Sequence, residues 1–257
     1  MFNILKKTLK TGTVTTDYPE KPDAAPSGFR GKPEILYDKC TSCGKCIAVC
    51  PPNVIRLGEG KLSLSYFGCI FCGRCEEVCQ EGAIKLTQEY ELASSTKDGA
   101  MELNERIEKI FGRSLHIREV DAGSCNACEV EVNALSNPVY DIERLGIHIV
   151  ASPRHADMLL VTGPVTRNME IALRKTYDAT PEPKLVAAMG SCACSGGIFG
   201  DTYASGGGVD RFIPVDVYIP GCPPRPQAVI FGLMLALDKL DRKKTPYLNT
   251  GTKEVKA

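Results

Sequence analysis

Along the C-terminal half of the chain, short apolar runs alternate with stretches of helical periodicity. Residues 115–120, 147–151, 158–162, 184–189 and 215–219 predict strands, and 129–135, 168–177 and 227–240 predict helices. That alternation predicts a parallel sheet covered by helices, with ligands gathering beyond the carboxyl ends of the strands. Upstream, Leu103, Ile107, Ile110 and Phe111 stand at i, i+4, i+7 and i+8, one face of a helix that Gly112 is placed to end. At the start, Phe2, Ile4, Leu5 and Leu9 are interleaved with Lys6, Lys7 and Lys10, a short basic amphipathic helix. Pro19, Pro22 and Pro26 then keep the chain extended.

Between 36 and 92 cysteine spacing, rather than apolar periodicity, sets the pattern. Cys40-x-x-Cys43-x-x-Cys46-x-x-x-Cys50 returns 29 residues later as Cys69-x-x-Cys72-x-x-Cys75-x-x-x-Cys79. The tails match too, Asn53-Val-Ile-Arg-Leu57 against Gly82-Ala-Ile-Lys-Leu86, so this is a duplicated half-domain. Three thiolates at three-residue spacing wrap one face of an iron–sulfur cube, the loop turns backbone N–H groups toward the sulfurs, and the fourth cysteine completes the other cluster. The expected ligands are Cys40, Cys43, Cys46 and Cys79 for one cluster and Cys69, Cys72, Cys75 and Cys50 for the second. Pro51 follows Cys50 as the bacterial ferredoxin pattern expects; Gln80 stands where a second proline would be and removes no ligand. Two zinc ions are the alternative, since zinc sites pair two C-x-x-C knuckles. The third cysteine of each triplet and the faithful repeat count against zinc.

Five further cysteines lie between Cys125 and Cys222. Cys125 and Cys128 follow the first expected strand, Cys192 and Cys194 the fourth, and Cys222 the fifth. Gly190-Ser-Cys192-Ala-Cys194-Ser-Gly-Gly197 reads as a small-residue loop, extended enough to point both its cysteines the same way. Four thiolates gathered at one sheet edge would hold a third cube; Cys194 reads as a buried apolar cysteine.

Composition narrows the setting. Lys+Arg and Asp+Glu balance at 31 each, so no charge excess points to nucleic acid. The longest apolar run, 228–237, is about half the roughly 20 residues a membrane-spanning helix needs. The first residues lack the pattern of a secretory or twin-arginine signal, which predicts a cytoplasmic chain. Thirteen cysteines in a reducing compartment favour metal ligation over disulfides.

The segment up to about residue 92, including Phe29-Arg-Gly-Lys-Pro33 and Glu89-Tyr-Glu-Leu-Ala93, resembles the two-cluster ferredoxin subunits of respiratory complex I and its hydrogenase relatives. Residues 114–240 resemble the complex I-type subunit shared with the small subunit of energy-converting [NiFe] hydrogenases. Ala151-Ser-Pro-Arg-His-Ala-Asp157, Val161-Thr-Gly-Pro-Val-Thr166, Met189-Gly-Ser-Cys192 and Pro214-Val-Asp-Val-Tyr-Ile-Pro-Gly-Cys-Pro-Pro224 carry that likeness. It implies Cys125, Cys128, Cys192 and Cys222 as ligands of a third [4Fe–4S] cluster, and no counterpart for Cys194. Two residues between Cys125 and Cys128, where complex I has adjacent cysteines, look like the hydrogenase branch; a sulfur-reducing branch shares that spacing.

The resulting expectation is a bacterial-type two-[4Fe–4S] ferredoxin module of the α+β class followed by a flavodoxin-like α/β domain. Its parts are a docking arm (1–35), the ferredoxin domain (36–92), a linker helix (93–113) and the small-subunit domain with C-terminal tail (114–257). The resemblance implies an electron relay, peripheral on the cytoplasmic face of a membrane complex. Electrons would pass from ferredoxin or a dehydrogenase subunit to the nickel–iron site of a large subunit, with membrane subunits as further partners. A nickel-free quinone- or sulfur-reducing complex and a free-standing carrier are the alternatives. Nothing in the chain predicts an acid, base or nucleophile for covalent chemistry. Glu129 and Glu131 suit either charge stabilisation of a helix start or the proton transfer that hydrogenases assign to a glutamate near this cluster. Arg154 and His155 would lie near the edge that quinone-using relatives employ. His116, His148 and His155 read as surface or packed residues, and 206–208 as a flexible connection without phosphate-loop context.

Overall fold

The computed structural model of the protein describes residues 2–58, 60–97 and 114–249. The linker helix expected over 103–112 lies outside them. Helix α1 (Phe2–Thr11) opens the chain, with Ile4, Leu5, Lys6, Lys7, Leu9 and Lys10 all exposed. The extended segment after it is packed rather than loose. Tyr18 is 2% exposed and sits in the core of the C-terminal domain. The Thr16 N–H donates to Val139 O at 2.9 Å, and Arg144 Nη2 donates to Thr16 O at 2.7 Å and to Tyr18 O. Further on, Gln227 Nε2 donates to Asp23 Oδ2, and Arg225 Nη2 lies 3.6 Å from the same carboxylate.

β1 (Pro33–Ile35), α2 (Lys45–Ala48), β2 (Ile55–Gly58), β3 (Lys61–Leu64), α3 (Arg74–Val78) and β4 (Ile84–Leu86) build the cysteine-rich module. β1 pairs antiparallel with β4, Pro33 opposite Leu86, and β2 with β3, Ile55 opposite Leu64. The sequence repeat is written into the backbone: left-handed residues at Ser42, Gly44 and Asn53 return at Phe71, Gly73 and Gly82. Cys46, Ile55, Leu62 and Ile84 are the module's buried core.

In the C-terminal domain come β5 (Leu115–Asp121), α4 (Ala127–Leu135), β6 (Ile147–Ile149), β7 (Met158–Thr162) and α5 (Arg167–Ala179). β8 (Leu185–Met189), α6 (Gly190–Ser195), β9 (Val217–Ile219) and α7 (Pro226–Asn249) complete it. The sheet runs β6-β5-β7-β8-β9, all parallel, which is the flavodoxin-like strand order. Every residue of β7 and β8 is buried, as strands covered on both faces must be.

The module is locked to this sheet. Phe67, 2% exposed, enters the core beside Val120, Leu159 and Val186 and meets Tyr218 edge-on at 6.0 Å. Ser94 and Tyr218 exchange backbone hydrogen bonds of 3.0 and 2.8 Å, so the chain leaving the module bridges to β9. Gly206, Gly207 and Gly208, expected as a flexible connection, are buried instead; a Cβ on Gly206 would lie 2.1 Å from Phe212 Cζ. Among the described residues, no helix is long and apolar enough to cross a membrane.

Candidate metal centres

The loop entering α2 and the end of α3 converge on a cavity of about 80 Å3 lined by Cys40, Cys43, Cys46 and Cys79. Backbone N–H groups are aimed at these sulfurs. The Lys45 N–H is the main cause holding the Cys43 thiol below its usual range, and Ala83 N–H donates to Cys79 Sγ at 3.2 Å. Burial pushes Cys46 up against the opposing Ile47 N–H.

A second group forms where the repeat places it. Burial pushes the Cys69 thiol up to about 12; the Phe71 N–H, 3.3 Å away, opposes it, and Cys75, Cys50 and Cys72 raise it further. Cys75 is pushed up to about 11, again first by burial, with Cys72 and Cys50 adding to it. These thiols are close enough to repel one another as thiolates, which is what a positively charged iron core would relieve.

The third group assembles at the carboxyl ends of the strands. Cys125 and Cys128 follow β5, Cys192 lies on α6 after β8, and Cys222 follows β9. Burial is the first cause raising Cys128 above the usual thiol range, followed by Glu129, Cys192, Cys222 and Cys125. Cys192 is pushed up to about 11 by burial, then by Cys222 and Cys125. Gly190 leaves the room this needs: with φ at 89°, a Cβ there would stand 2.6 Å from Cys128 Sγ. The Cys222 thiol, raised by burial and by Cys125, is raised also by Cys72 of the second group. The two groups are thus electrostatic neighbours.

The fit to iron–sulfur cubes rests on this donor set: thiols in fours, met by N–H groups in the first two and flanked by small residues in the third. Among the described residues, no three His, Cys, Asp or Glu side chains are placed around one metal ion.

The loop expected to be extended at 190–197 is instead helical over its first six residues, α6. On a helix, residues two apart diverge by about 200°, so Cys192 and Cys194 do not point the same way. Cys194 is fully buried and donates its S–H to Ala188 O at 3.3 Å.

Glu129 and Glu131 lie on α4, with Glu129 in its first turn. Both Glu129 carboxylate oxygens are buried without a hydrogen-bond partner among the described residues. Burial raises Glu131, opposed by Arg225. His116 stacks on His148 at 5.6 Å and lies 3.4 Å from Asp157 Oδ2, toward the amino ends of the strands and away from the third group. Arg154 and His155 form a 3-10 turn after β6.

Sequence reasoning passed over three residues. Glu119 shares the inward face of β5 with Leu115 and Ile117, and its carboxyl is raised by burial and then by Glu129; a carboxylate in an apolar register was the available signal. Arg225 stacks 4.5 Å over Tyr90 and 5.5 Å over Phe29, beside a cavity of about 310 Å3 that also touches Cys222. Its signal was an arginine between prolines in an apolar turn. Ser191 gave no signal beyond its neighbour Cys192.

Fold and thiols together define a ferredoxin-type cysteine module built onto a flavodoxin-like domain with its own thiol group. Residues 125–236 match the family described as NADH ubiquinone oxidoreductase, 20 Kd subunit, and residues 32–80 match the 4Fe-4S dicluster domain. The chain belongs to the 20 Kd subunit family and carries the dicluster domain ahead of it. It is 49% identical over 132 residues to the "Probable membrane-bound hydrogenase subunit mbhJ" of Pyrococcus furiosus, covering 51% of this chain and 79% of that protein. It is 50% identical over 135 residues to formate hydrogenlyase subunit 7 of Escherichia coli, covering 52% of this chain and 53% of the relative. One of the NADH-quinone oxidoreductase subunits of Geotalea uraniireducens is 48% identical over 120 residues, covering 47% of this chain and 70% of that protein.

Proposed function

We propose that this chain is the electron-transfer subunit of a membrane-associated, energy-converting oxidoreductase complex, holding three [4Fe–4S] clusters. Cys40, Cys43, Cys46 and Cys79 hold the first, Cys69, Cys72, Cys75 and Cys50 the second, and Cys125, Cys128, Cys192 and Cys222 the third. When bound, such clusters take up and release single electrons. The chain's own part is to fix their spacing and to tune them through N–H···S bonds and burial. The observation that carries this reading is the abutment of the second and third thiol groups, which makes one continuous relay of two otherwise separate modules.

Electrons enter at the exposed first group, where Cys43 faces solvent, from ferredoxin or a dehydrogenase subunit. They leave at the third, to a [NiFe] site in a large subunit. Ile198, Phe199 and Tyr203, large and exposed just past Gly197, support a partner surface there; a Cβ on Gly197 would lie 3.1 Å from Cys192 Sγ. The apolar and basic faces of α1 suit a membrane subunit or anionic surface on the cytoplasmic side.

Metal analysis of the anaerobically purified complex tests the proposal. About twelve iron and twelve sulfide per chain are expected at four per cluster, with nickel in the partner. Zinc without labile sulfide would overturn the cluster reading. Full iron without nickel would select the second reading, a quinone- or sulfur-reducing complex, which the likeness to the NADH-quinone oxidoreductase protein favours.

A further inference from the structure

We infer that Ser191 is the positioning residue that clamps the second cysteine group to the third and sets how fast an electron crosses between them. This rests on the cluster assignment proposed above. α6 turns by about 100° per residue, so Ser191 and Ser195, four apart, share one face while Cys192 and Cys194 occupy others. The serine face meets the loop that carries Cys69.

Ser191 Oγ lies 2.5 Å from the Cys69 backbone oxygen and 3.0 Å from Gly221 O, while the Ser191 N–H donates to Gly221 O at 2.8 Å. A hydroxyl has one proton. The amide already serves Gly221 O, so the hydroxyl proton goes to Cys69 O, the nearer acceptor. Cys69 belongs to the second group; Ser191 is bonded to Cys192, and Gly221 to Cys222, both of the third. One residue, through its hydroxyl and its amide, therefore joins three ligand-bearing loops. It is 1% exposed, so water does not compete for these bonds. Gly68 permits the approach: a Cβ there would lie 2.9 Å from Ser195 Oγ and 2.8 Å from Val54 Cγ1.

The step concerned is the passage of one electron from the reduced second cluster to the oxidised third, with no bond or proton exchanged. Tunnelling weakens steeply with distance, and faster across open gaps than along bonded atoms. The O–H···O bond supplies a bonded route from the Cys69 carbonyl through Ser191 to Cys192, and it holds the gap closed.

The test uses the full chain in its complex. Iron and sulfide content and the separate EPR signatures of the reduced clusters check the cluster assignment first, and Ser191→Ala leaves them unchanged. In that variant the magnetic interaction between the second and third clusters weakens. Electron transfer between them after flash reduction slows severalfold, because the hydrogen-bonded step from the Cys69 carbonyl to Ser191 becomes an open gap. Ser191→Thr, which keeps the hydroxyl, restores both readouts. Ser195→Ala, whose hydroxyl donates within its own helix to Ser191 O at 3.1 Å, moves neither. If the alanine variant loads poorly, Gly68→Ala takes its place, because the added Cβ pushes the same loop away and lowers both readouts. Unchanged coupling and rate in the loaded variant overturn the role of Ser191; absent cluster signals in the unmodified chain overturn the assignment beneath it.

Discussion

Cys194 donates its S–H to the Ala188 carbonyl oxygen at 3.3 Å, tying α6 back onto the strand it leaves. Burial raises the Cys194 thiol above its usual range, and the side chain has no exposure. It therefore acts as a packed thiol in the core, facing away from the third group. Cys194→Ser is expected to keep the third cluster's EPR signal, at a stability cost of about 1 kcal/mol for burying a hydroxyl. Cys192→Ser is expected to lose or convert that signal, because serine oxygen is a harder donor than thiolate. The reverse pattern would reassign the ligand.

Cys79 lines the cavity of the first group although it closes the second motif, and Cys50 raises Cys69 and Cys75 although it closes the first. Redox titration monitored by EPR should separate the two. Cys79→Ser should shift or abolish the signal of the first cluster alone, and Cys50→Ser that of the second. Each variant acting on its own motif's cluster would show that the fourth ligands do not cross over.

Gly190→Ala should be far more damaging than its single methyl suggests. The new Cβ would stand 2.6 Å from Cys128 Sγ, at a φ of 89° that L side chains rarely adopt. Iron content is expected to fall by about four per chain, one cluster's complement, with the two ferredoxin signals intact. Retention of all the iron would mean that the third group tolerates a wider gap than its packing implies.

The cysteine repeat made the ferredoxin module legible because metal ligation imposes spacing that little else imposes. The strands were legible because two-sided burial leaves continuous apolar runs: the expected 158–162 is β7 to the residue, and 115–120 falls one short of β5. The conformation of 190–197 was hidden, since Gly, Ser, Ala and Cys suit a tight loop and a short helix equally. Packing against Ala188 and Cys69 decides between them. Tyr18, Asp23 and Arg225 were hidden for another reason. Glu91 lies 73 residues from Tyr18, and Asp23 lies 204 from Gln227 and faces Arg225 from the far end of the sequence, where no local periodicity reaches.

That separation has a consequence for synthesis. Asp23 leaves the ribosome well before its partner Gln227, which follows 204 residues later. At about 5–20 residues per second, the wait is on the order of 10–40 s. Throughout that interval the Asp23 carboxylate lacks its side-chain partner, although Tyr18 and Thr16 can meet Glu91 and Val139 earlier. The strap is thus fastened late, and a chain stopped short of α7 would carry its cysteines without the clasp that Gln227 closes on Asp23.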